Sequence, residues 1–171
     1  SPVKTPTGIL ALVATPLLAP PEDPQFVLMV ENIQDPGNLG SLLRNAAASG
    51  VDVVYLSSGC TEAWSPRALR GGQGAHFVLP IVEQVDLVEQ VRLFPGKALA
   101  TTMDGDSLFK EDLSGRVAFI IGNEGAGISQ SLLDHATKRI TIPMSGKVES
   151  LNAAAAAAVC LFERVRQTGA N

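Results

Sequence analysis

Apolar runs of strand length alternate with stretches of helical periodicity along most of this sequence. The runs are continuously apolar, which is typical of strands buried on both faces of a sheet. They lie at 26–32, 51–56, 76–82, 97–103, 117–123 and 139–143. Helices are predicted at 38–49, near 84–94, near 129–136 and in the last 20 or so residues. The alternation predicts an α/β fold, with a mostly parallel sheet and helices on both of its faces.

The last strand and helix form a compact unit, ITIPMSGKVESLNAAAAAAVCLFER at 140–164. A Ser-Gly-Lys turn separates them, and Ser150 and Asn152 are predicted in the first turn of the helix. Six alanines at 153–158 leave most faces of this helix slim. An apolar stripe of period 3.6 runs through Leu151, Ala155, Ala158, Phe162 and Val165. Taken alone, the segment favours an ordinary buried helix capped by a serine.

Residues 1–25 differ from the rest of the chain because prolines dominate their second half. Proline removes backbone donors and favours extended structure. We expect an arm or linker at 1–25 and one domain at 26–171.

Composition narrows the function classes. The net charge is −4 and the pI about 5.1, so a site for a polyanion must be a local patch. No apolar run approaches the length of a membrane span, and no signal peptide pattern is seen, so we expect a cytoplasmic protein. Two cysteines and two histidines are scattered without metal-ligand spacing, and we expect neither a metal nor a disulfide.

Polar residues and glycines follow several predicted strands. They occur at 31–32, 101–103, 122–124 and 142–144. In parallel sheets ligands bind beyond the carboxyl ends of the strands, so a site is expected at this edge. The chain lacks G-x-G-x-x-G after its first strand and also lacks a P-loop motif, which argues against the common nucleotide sites.

Three further clusters are candidates for function. At 31–50, Asn38 is a good helix N-cap. Arg44 lies outside the apolar stripe of the predicted helix, and it is predicted either to bind a phosphate or to be an ordinary surface arginine. The core stripe consists of Leu39, Leu42, Leu43 and Ala46. At 122–129, Glu124 lies in a glycine-rich loop. At 65–77, Arg67, Arg70 and His76 are predicted either to contact phosphates or to lie in a mobile loop.

Three of these segments together resemble a known family. DPGNLGSLLRNAAASG, FIIGNEGAGIS and TIPMSGKVESLNAAAAAAV, in this order, are similar to the three motifs of the SPOUT-class RNA 2′-O-ribose methyltransferases of the SpoU/TrmH type. The resemblance covers roughly residues 26–165. It implies a C-terminal trefoil knot (the alpha-beta knot), S-adenosyl-L-methionine as cofactor and a homodimer acting on RNA. Ribosomal RNA is favoured over tRNA. The resemblance further implies that the arm at 1–25 is the remnant of a missing N-terminal RNA-binding domain.

The resemblance also implies roles for individual residues. The catalytic set is Arg44, Asn38, Glu124, Ser150 and Asn152. The cofactor-binding set is Thr101, Thr102, Met103, Gly122, Asn123, Ile142, Met144 and Leu151. One departure is Gly72-Gln73, where many relatives have small residues or serine.

The reaction implied is attack of a ribose 2′-hydroxyl on the sulfonium methyl group. A guanidinium is a poor base, so Arg44 is preferred as a clamp on the adjacent phosphate, with proton abstraction as the alternative. Other functions remain open: methylation of tRNA, a non-catalytic RNA- or cofactor-binding module of the same fold, and a Rossmann-type small-molecule enzyme.

Overall fold

The computed structural model describes residues 13–146 and 150–169, which form one six-stranded sheet with helices on both faces. The strands are β1 (Phe26–Val30), β2 (Val53–Ser57), β3 (Ile81–Val85), β4 (Lys97–Ser107), β5 (Val117–Ile121) and β6 (Lys138–Thr141). Their order is β3-β2-β1-β5-β4-β6, and every pairing is parallel. The predicted fold class is therefore confirmed.

Five α-helices and two short 3-10 helices connect the strands. The α-helices are α1 (Pro36–Ser49), α2 (Pro66–Gly72), α3 (Leu87–Leu93), α4 (Gln130–Leu133) and α5 (Ala153–Thr168). The 3-10 helices are Ala75–Phe77 and Leu108–Lys110. Alternate residues of β1 pack on opposite faces: Phe26, Leu28 and Val30 face α1 and α5, while Val27 and Met29 face α3 and α4. The sheet is thus the middle of three layers.

Helix α1 begins two residues before its predicted start. Asp35 is the N-cap, because its Oδ1 accepts a hydrogen bond of 2.8 Å from the backbone N–H of Asn38. Pro36 suits the first helical position, where its missing N–H costs nothing. The prediction of Asn38 as the cap was wrong, and its side chain is free for another use. The predicted core stripe is confirmed: Leu39, Leu42, Leu43 and Ala46 are fully buried.

The segment predicted as a polar, mobile loop contains helix α2. Ser65 caps it, and α2 packs closely on α1 because glycine stands at the contact. A Cβ on Gly40 would lie 2.4 Å from the Ala68 carbonyl oxygen and 2.9 Å from Gly71 Cα. The two backbones can approach this closely only without side chains between them.

The strand predicted at 76–82 is displaced toward the C-terminus. Its first residues form a 3-10 helix, and β3 begins only at Ile81. His76 is buried, with Nε2 2.8 Å from the Ala63 carbonyl oxygen, and burial lowers the pKa of its imidazole. A buried, neutral imidazole does not bind a phosphate, so the suggested role of His76 was wrong. The side chain instead fills the space beneath Trp64, ring centroids 5.2 Å apart.

Strand β4 is longer than predicted and leaves the sheet in its middle. Ile140 of β6 pairs with both Thr101 and Asp106 of β4, so residues 102–105 project from the ladder. Gly105 makes this return possible, because a Cβ there would lie 2.5 Å from backbone atoms of Arg139 and Ile140. The projecting residues form a rim at the carboxyl edge of the sheet.

Helix α5 begins later than predicted and buries another face. Its N-cap is Asn152, which accepts from the backbone N–H groups of Ala154 (2.9 Å) and Ala155 (3.3 Å), and Ser150 precedes the helix without capping it. The apolar buried residues are Ala153, Ala154, Ala157, Cys160 and Leu161. The predicted stripe through Leu151 and Phe162 is exposed or half-buried. Small alanines let α5 lie close to α1 and the sheet, and the bulkier side chains remain outside.

The described residues contain no helix long and apolar enough to cross a membrane. In the same part of the chain, no group of three or more His, Cys, Asp or Glu side chains could hold a metal ion.

Candidate functional site

A pocket of about 700 Å³ opens at the carboxyl edge of the sheet, beyond β4, β5 and β6. Its walls come mainly from 101–104, 121–128, 141–144 and 150–156. All eight residues predicted to bind the cofactor line it: Thr101, Thr102, Met103, Gly122, Asn123, Ile142, Met144 and Leu151. Segments far apart in sequence therefore meet where the strand-end rule places a ligand.

The pocket combines apolar walls with a few polar groups. Ile121, Ile142 and Leu151 provide apolar surface, and the volume lies in the range of pockets for small organic ligands. The hydroxyl of Thr102 is buried and has no hydrogen-bond partner among the residues described. A buried hydroxyl without a partner is costly, so a bound ligand that bonds to it would remove the penalty.

The glycine-rich loop 122–128 forms one wall and is closed by its own hydrogen bonds. Asn123 and Gly127 exchange two backbone hydrogen bonds of 3.0 Å each. The side-chain oxygen of Asn123 accepts from the N–H groups of Gly125 (2.9 Å) and Ala126 (2.8 Å). A Cβ on Gly122 would lie 2.4 Å from the carbonyl carbon of Gly127, so only glycine fits where the loop folds back.

Three of the predicted catalytic residues form one hydrogen-bonded chain beside this wall. Asn152 Nδ2 donates to Asn38 Oδ1 at 2.9 Å. Asn38 Nδ2 donates in turn to Glu124 Oε1, also at 2.9 Å. We call these three side chains the amide bridge. Glu124 also lines the pocket, so the bridge joins the pocket wall to the starts of α1 and α5.

The direction of the amide bridge follows from the N-cap of α5. The Asn152 oxygen is occupied by the N–H groups of α5, so only its NH₂ group can face Asn38. Asn38 then accepts through its oxygen and donates through its nitrogen. The bridge therefore requires an acceptor at its end, which the carboxylate oxygen of Glu124 supplies.

The remaining two predicted catalytic residues lie outside this bridge. Ser150 is exposed and lines the pocket. Arg44 is exposed on α1, six positions after Asn38, and forms no ion pair with another described residue. Nearby, Arg67 pairs with Asp35 at 3.4 Å and lines a second groove together with Arg70.

Some residues of the site were not predicted. Additional lining residues are Asp104, Ile121, Gly125, Ala126, Gly127, Ile128, Leu133, Thr141, Ala153 and Ala156. Glu31 was noted only as a strand end, but its buried carboxylate bonds to Ser129 just after the glycine-rich loop. The strand-end pattern gives a position for Glu31 and no partner, because the partner lies 98 residues away.

The fold and the pocket define an α/β domain that binds a small molecule at the strand ends of a parallel sheet. Comparisons with known proteins show the family. The model of the SpoU rRNA methylase family matches residues 25–162. The chain belongs to this family.

Relatives of known sequence are similar over most of the chain. A 23S rRNA (guanosine(2553)-2′-O)-methyltransferase of Bacillus subtilis is 37% identical, over 80% of this chain and 56% of the relative. A 23S rRNA (guanosine-2′-O-)-methyltransferase of Escherichia coli is 33% identical, over 85% of this chain and 61% of the relative. The chain thus spans little more than half the length of these curated relatives.

Solved structures agree with the fold. The SpoU methyltransferase AviRb from Streptomyces viridochromogenes, in complex with the cofactor AdoMet, has a TM-score of 0.80 and 30% identity. The match covers 94% of this chain and 64% of that one. An AdoMet-bound rRNA methyltransferase from Sinorhizobium meliloti gives the same TM-score and identity, over 86% and 58% of the two chains.

Proposed function

We propose that this protein transfers a methyl group from S-adenosylmethionine to a ribose 2′-hydroxyl of RNA. The observation that carries the proposal is the amide bridge, which joins Asn38, Glu124 and Asn152 at the wall of a nucleoside-sized pocket. A cofactor in the pocket and a ribose beside the bridge would be held by one continuous set of groups. Such positioning supplies a large part of the acceleration of a displacement reaction.

The pocket fits the proposed cofactor. Its apolar walls suit an adenine ring, and the unpartnered Thr102 hydroxyl offers a hydrogen bond. Residues 101–103, Ile142 and Leu151 would hold the base and ribose, and the loop 122–128 would cover the other side. When bound, the cofactor supplies an electrophilic methyl group.

The predicted catalytic side chains would each have a separate role in the reaction. The guanidinium of Arg44 would clamp the phosphate next to the target ribose and lower the pKa of the hydroxyl. The hydroxyl proton would pass to water as the C–O bond forms, the S–CH₃ bond breaks and S-adenosylhomocysteine leaves. Proton abstraction by Arg44 would need a neutral guanidine, which the high pKa of arginine disfavours. Asn38 and Asn152 would orient the ribose, Ser150 would bond to it at the pocket mouth, and Glu124 would fix the amide bridge.

Ribosomal RNA is the proposed substrate class, supported by the two relatives described above, whose names specify 23S rRNA. A structure concerned with methylation of tRNA is also similar, but at 25% identity. Both cysteines are free thiols, which fits the reducing conditions of the proposed cytoplasmic location.

A homodimer with a knotted C-terminal part completes the proposal. The outer face of α5 supports the dimer, because Ala155 and Phe162, seven positions apart, are exposed apolar residues on one side of the helix. The knot is an expectation from the family, and the return of β4 against Ile140 is compatible with it. We also retain the division into an arm at 1–25 and a domain from residue 26.

The substitution Arg44→Ala tests the proposed chemistry. It should lower methyl transfer about 100-fold or more, because the hydroxyl loses its positioning partner. Affinity for S-adenosylmethionine should stay within about twofold, since Arg44 does not line the pocket. Transfer is measured with radiolabelled cofactor on ribosomal RNA from cells lacking the protein, and affinity by calorimetry.

Arg92→Ala is the matched control, because Arg92 is an exposed arginine on α3, away from the pocket lining. Full activity of Arg44→Ala would contradict the role of Arg44. A wild-type protein that neither binds S-adenosylmethionine nor labels RNA would refute the proposed function.

A further inference from the structure

Glu31 is a buried carboxylate whose two oxygens both serve one residue. It lies at the carboxyl end of β1 and is 9% exposed. Oε2 accepts from the backbone N–H of Ser129 and Oε1 from its hydroxyl, each at 2.7 Å. Ser129 is the N-cap of α4 and directly follows the glycine-rich loop. The carboxylate therefore fixes the point at which the loop ends.

The neighbouring Asn32 fixes the point at which the same loop begins. Its carbonyl oxygen accepts a hydrogen bond of 2.7 Å from Asn123 Nδ2. Its backbone has φ of 55°, an uncommon left-handed conformation for a residue other than glycine. The Ser57 hydroxyl stabilises this conformation by accepting from the Asn32 N–H at 2.9 Å. The corner formed by residues 31 and 32 thus holds the loop 122–128 at both ends.

The corner does not line the pocket, but it is connected to both the pocket wall and the amide bridge. The loop that it holds forms one pocket wall and carries Glu124. Asn38, the partner of Glu124, follows the corner by six residues in the chain. We infer that Glu31 is a positioning residue that, through Ser129, sets the shape of the cofactor wall and the location of Glu124 before any ligand binds. The inference rests on the proposed function and adds to it a residue that does not contact the cofactor but positions the loop that would.

The composition of the loop explains why it needs such a support. Residues 122, 125 and 127 are glycines, which have little conformational preference of their own. The loop's own hydrogen bonds close it but do not fix it relative to β1. Without the bonds to residues 31 and 32, cofactor binding would have to fix the loop in place, and the entropic cost would lower affinity. A carboxylate that accepts from both a backbone N–H and a hydroxyl holds the loop end firmly, because hydrogen bonds to a carboxylate are stronger than those between neutral groups.

Two substitutions of Glu31 distinguish the effect of its hydrogen bonds to Ser129 from the effect of its side-chain volume. Glu31→Ala removes both bonds and leaves the Ser129 N–H without an acceptor. Glu31→Gln keeps both: its oxygen accepts from the N–H, and its NH₂ group donates to the hydroxyl oxygen of Ser129. Glutamine should therefore rescue most of what alanine loses.

Glu163→Ala is the matched control for removing a buried carboxylate. Glu163 is 7% exposed in α5, accepts from Arg166 and Gln167, and does not line the pocket. Its loss should lower Tm while leaving cofactor affinity unchanged.

The experiment combines calorimetry with S-adenosylmethionine, thermal unfolding and amide hydrogen exchange of the ligand-free protein. In Glu31→Ala, Kd for S-adenosylmethionine should rise about tenfold, because part of the binding free energy must then order the loop. The amides of Gly125, Ala126 and Gly127 should exchange faster than in the wild type. Glu31→Gln should stay within about threefold of the wild-type Kd.

Wild-type Kd and wild-type exchange in Glu31→Ala, whatever its Tm, would overturn the inference. If Glu31→Ala does not fold, Glu31→Leu is measured instead, because leucine fills similar space and also removes both acceptors. Unchanged Kd and exchange there would likewise overturn the inference. A wild-type protein that binds no S-adenosylmethionine would refute the proposed function. Exchange of the loop would still decide whether Glu31 holds it.

Discussion

At the scale of single residues, the site depends on side chains that have two different ends. An asparagine amide accepts at its oxygen and donates at its nitrogen, so a chain of amides has a direction. Asn152 uses its oxygen on α5 and its nitrogen on Asn38, which repeats the pattern toward Glu124. The location of Glu124 is therefore coupled to the start of a helix 28 positions away in the chain.

Gly122 offers a test of the pocket at this scale. Gly122→Ala should weaken binding of S-adenosylmethionine by about tenfold or more, because the added Cβ would lie 2.4 Å from the Gly127 carbonyl carbon and push the loop outward. Calorimetry measures the change. Gly115→Ala is the control, since a Cβ there has nothing within 4 Å. Equal affinities of the two variants would show that the loop does not shape the binding site.

The sequence predicted which residues gather at the pocket better than it predicted their contacts. All eight cofactor positions implied by the family resemblance line it. Most of them lie where strands leave the sheet, and strand ends in a parallel sheet share an edge. Asn38, by contrast, was expected to cap α1, a local role that asparagine often has. Asp35 takes that role, and the bond from Asn38 to Glu124 spans 86 residues. Local propensity carries no information about a partner so distant.

At the scale of elements, one residue both starts α5 and continues the amide bridge. Asn152→Asp should separate these functions, because aspartate caps a helix as well as asparagine but has no NH₂ group to donate. Tm should remain at the wild-type value or rise slightly, and methyl transfer should fall about tenfold or more. Thermal unfolding and the labelling assay measure the two effects.

Asn152→Ala is the comparison, because it removes the cap together with the bridge. It should lose about 1 kcal/mol of stability in addition to activity. If the aspartate variant methylates like the wild type, the donor group of Asn152 has no part in the reaction.

Elements were predicted well where apolar residues were large and poorly where they were small. The buried runs of β1 and β5 were recognised, since five consecutive buried residues leave a clear signal in each. Helix α2 was missed because its sequence, PRALRGG, has only small or polar residues at most positions. For the last helix, the bulky Leu151 and Phe162 indicated a face that proved exposed, while three alanines, Cys160 and Leu161 form the buried one. Hydrophobic periodicity assigns the largest apolar side chains to the buried face of a helix. Where a helix packs closely against its neighbours, small side chains occupy the buried face instead.

At the scale of the whole molecule, the outer face of α5 bears on assembly. Phe162 is 44% exposed, and its replacement by glutamate should shift the protein from dimer to monomer, because a charge would be buried at the interface. Sedimentation velocity over a range of protein concentrations measures the change. Leu93→Glu is the control, since Leu93 is 68% exposed on the opposite layer. A wild-type monomer, or a Phe162→Glu dimer, would exclude α5 as the interface.

The amide bridge also has a consequence for the order of folding. Its three members stand at positions 38, 124 and 152. All three are therefore present only after the chain has been synthesised as far as the start of α5. Contacts of such long separation form after local helices and adjacent strands, because loop closure must be paid for first. The pocket is therefore among the last parts of the native structure to form. A ligand that needs it can stabilise the finished protein but cannot guide the nascent chain.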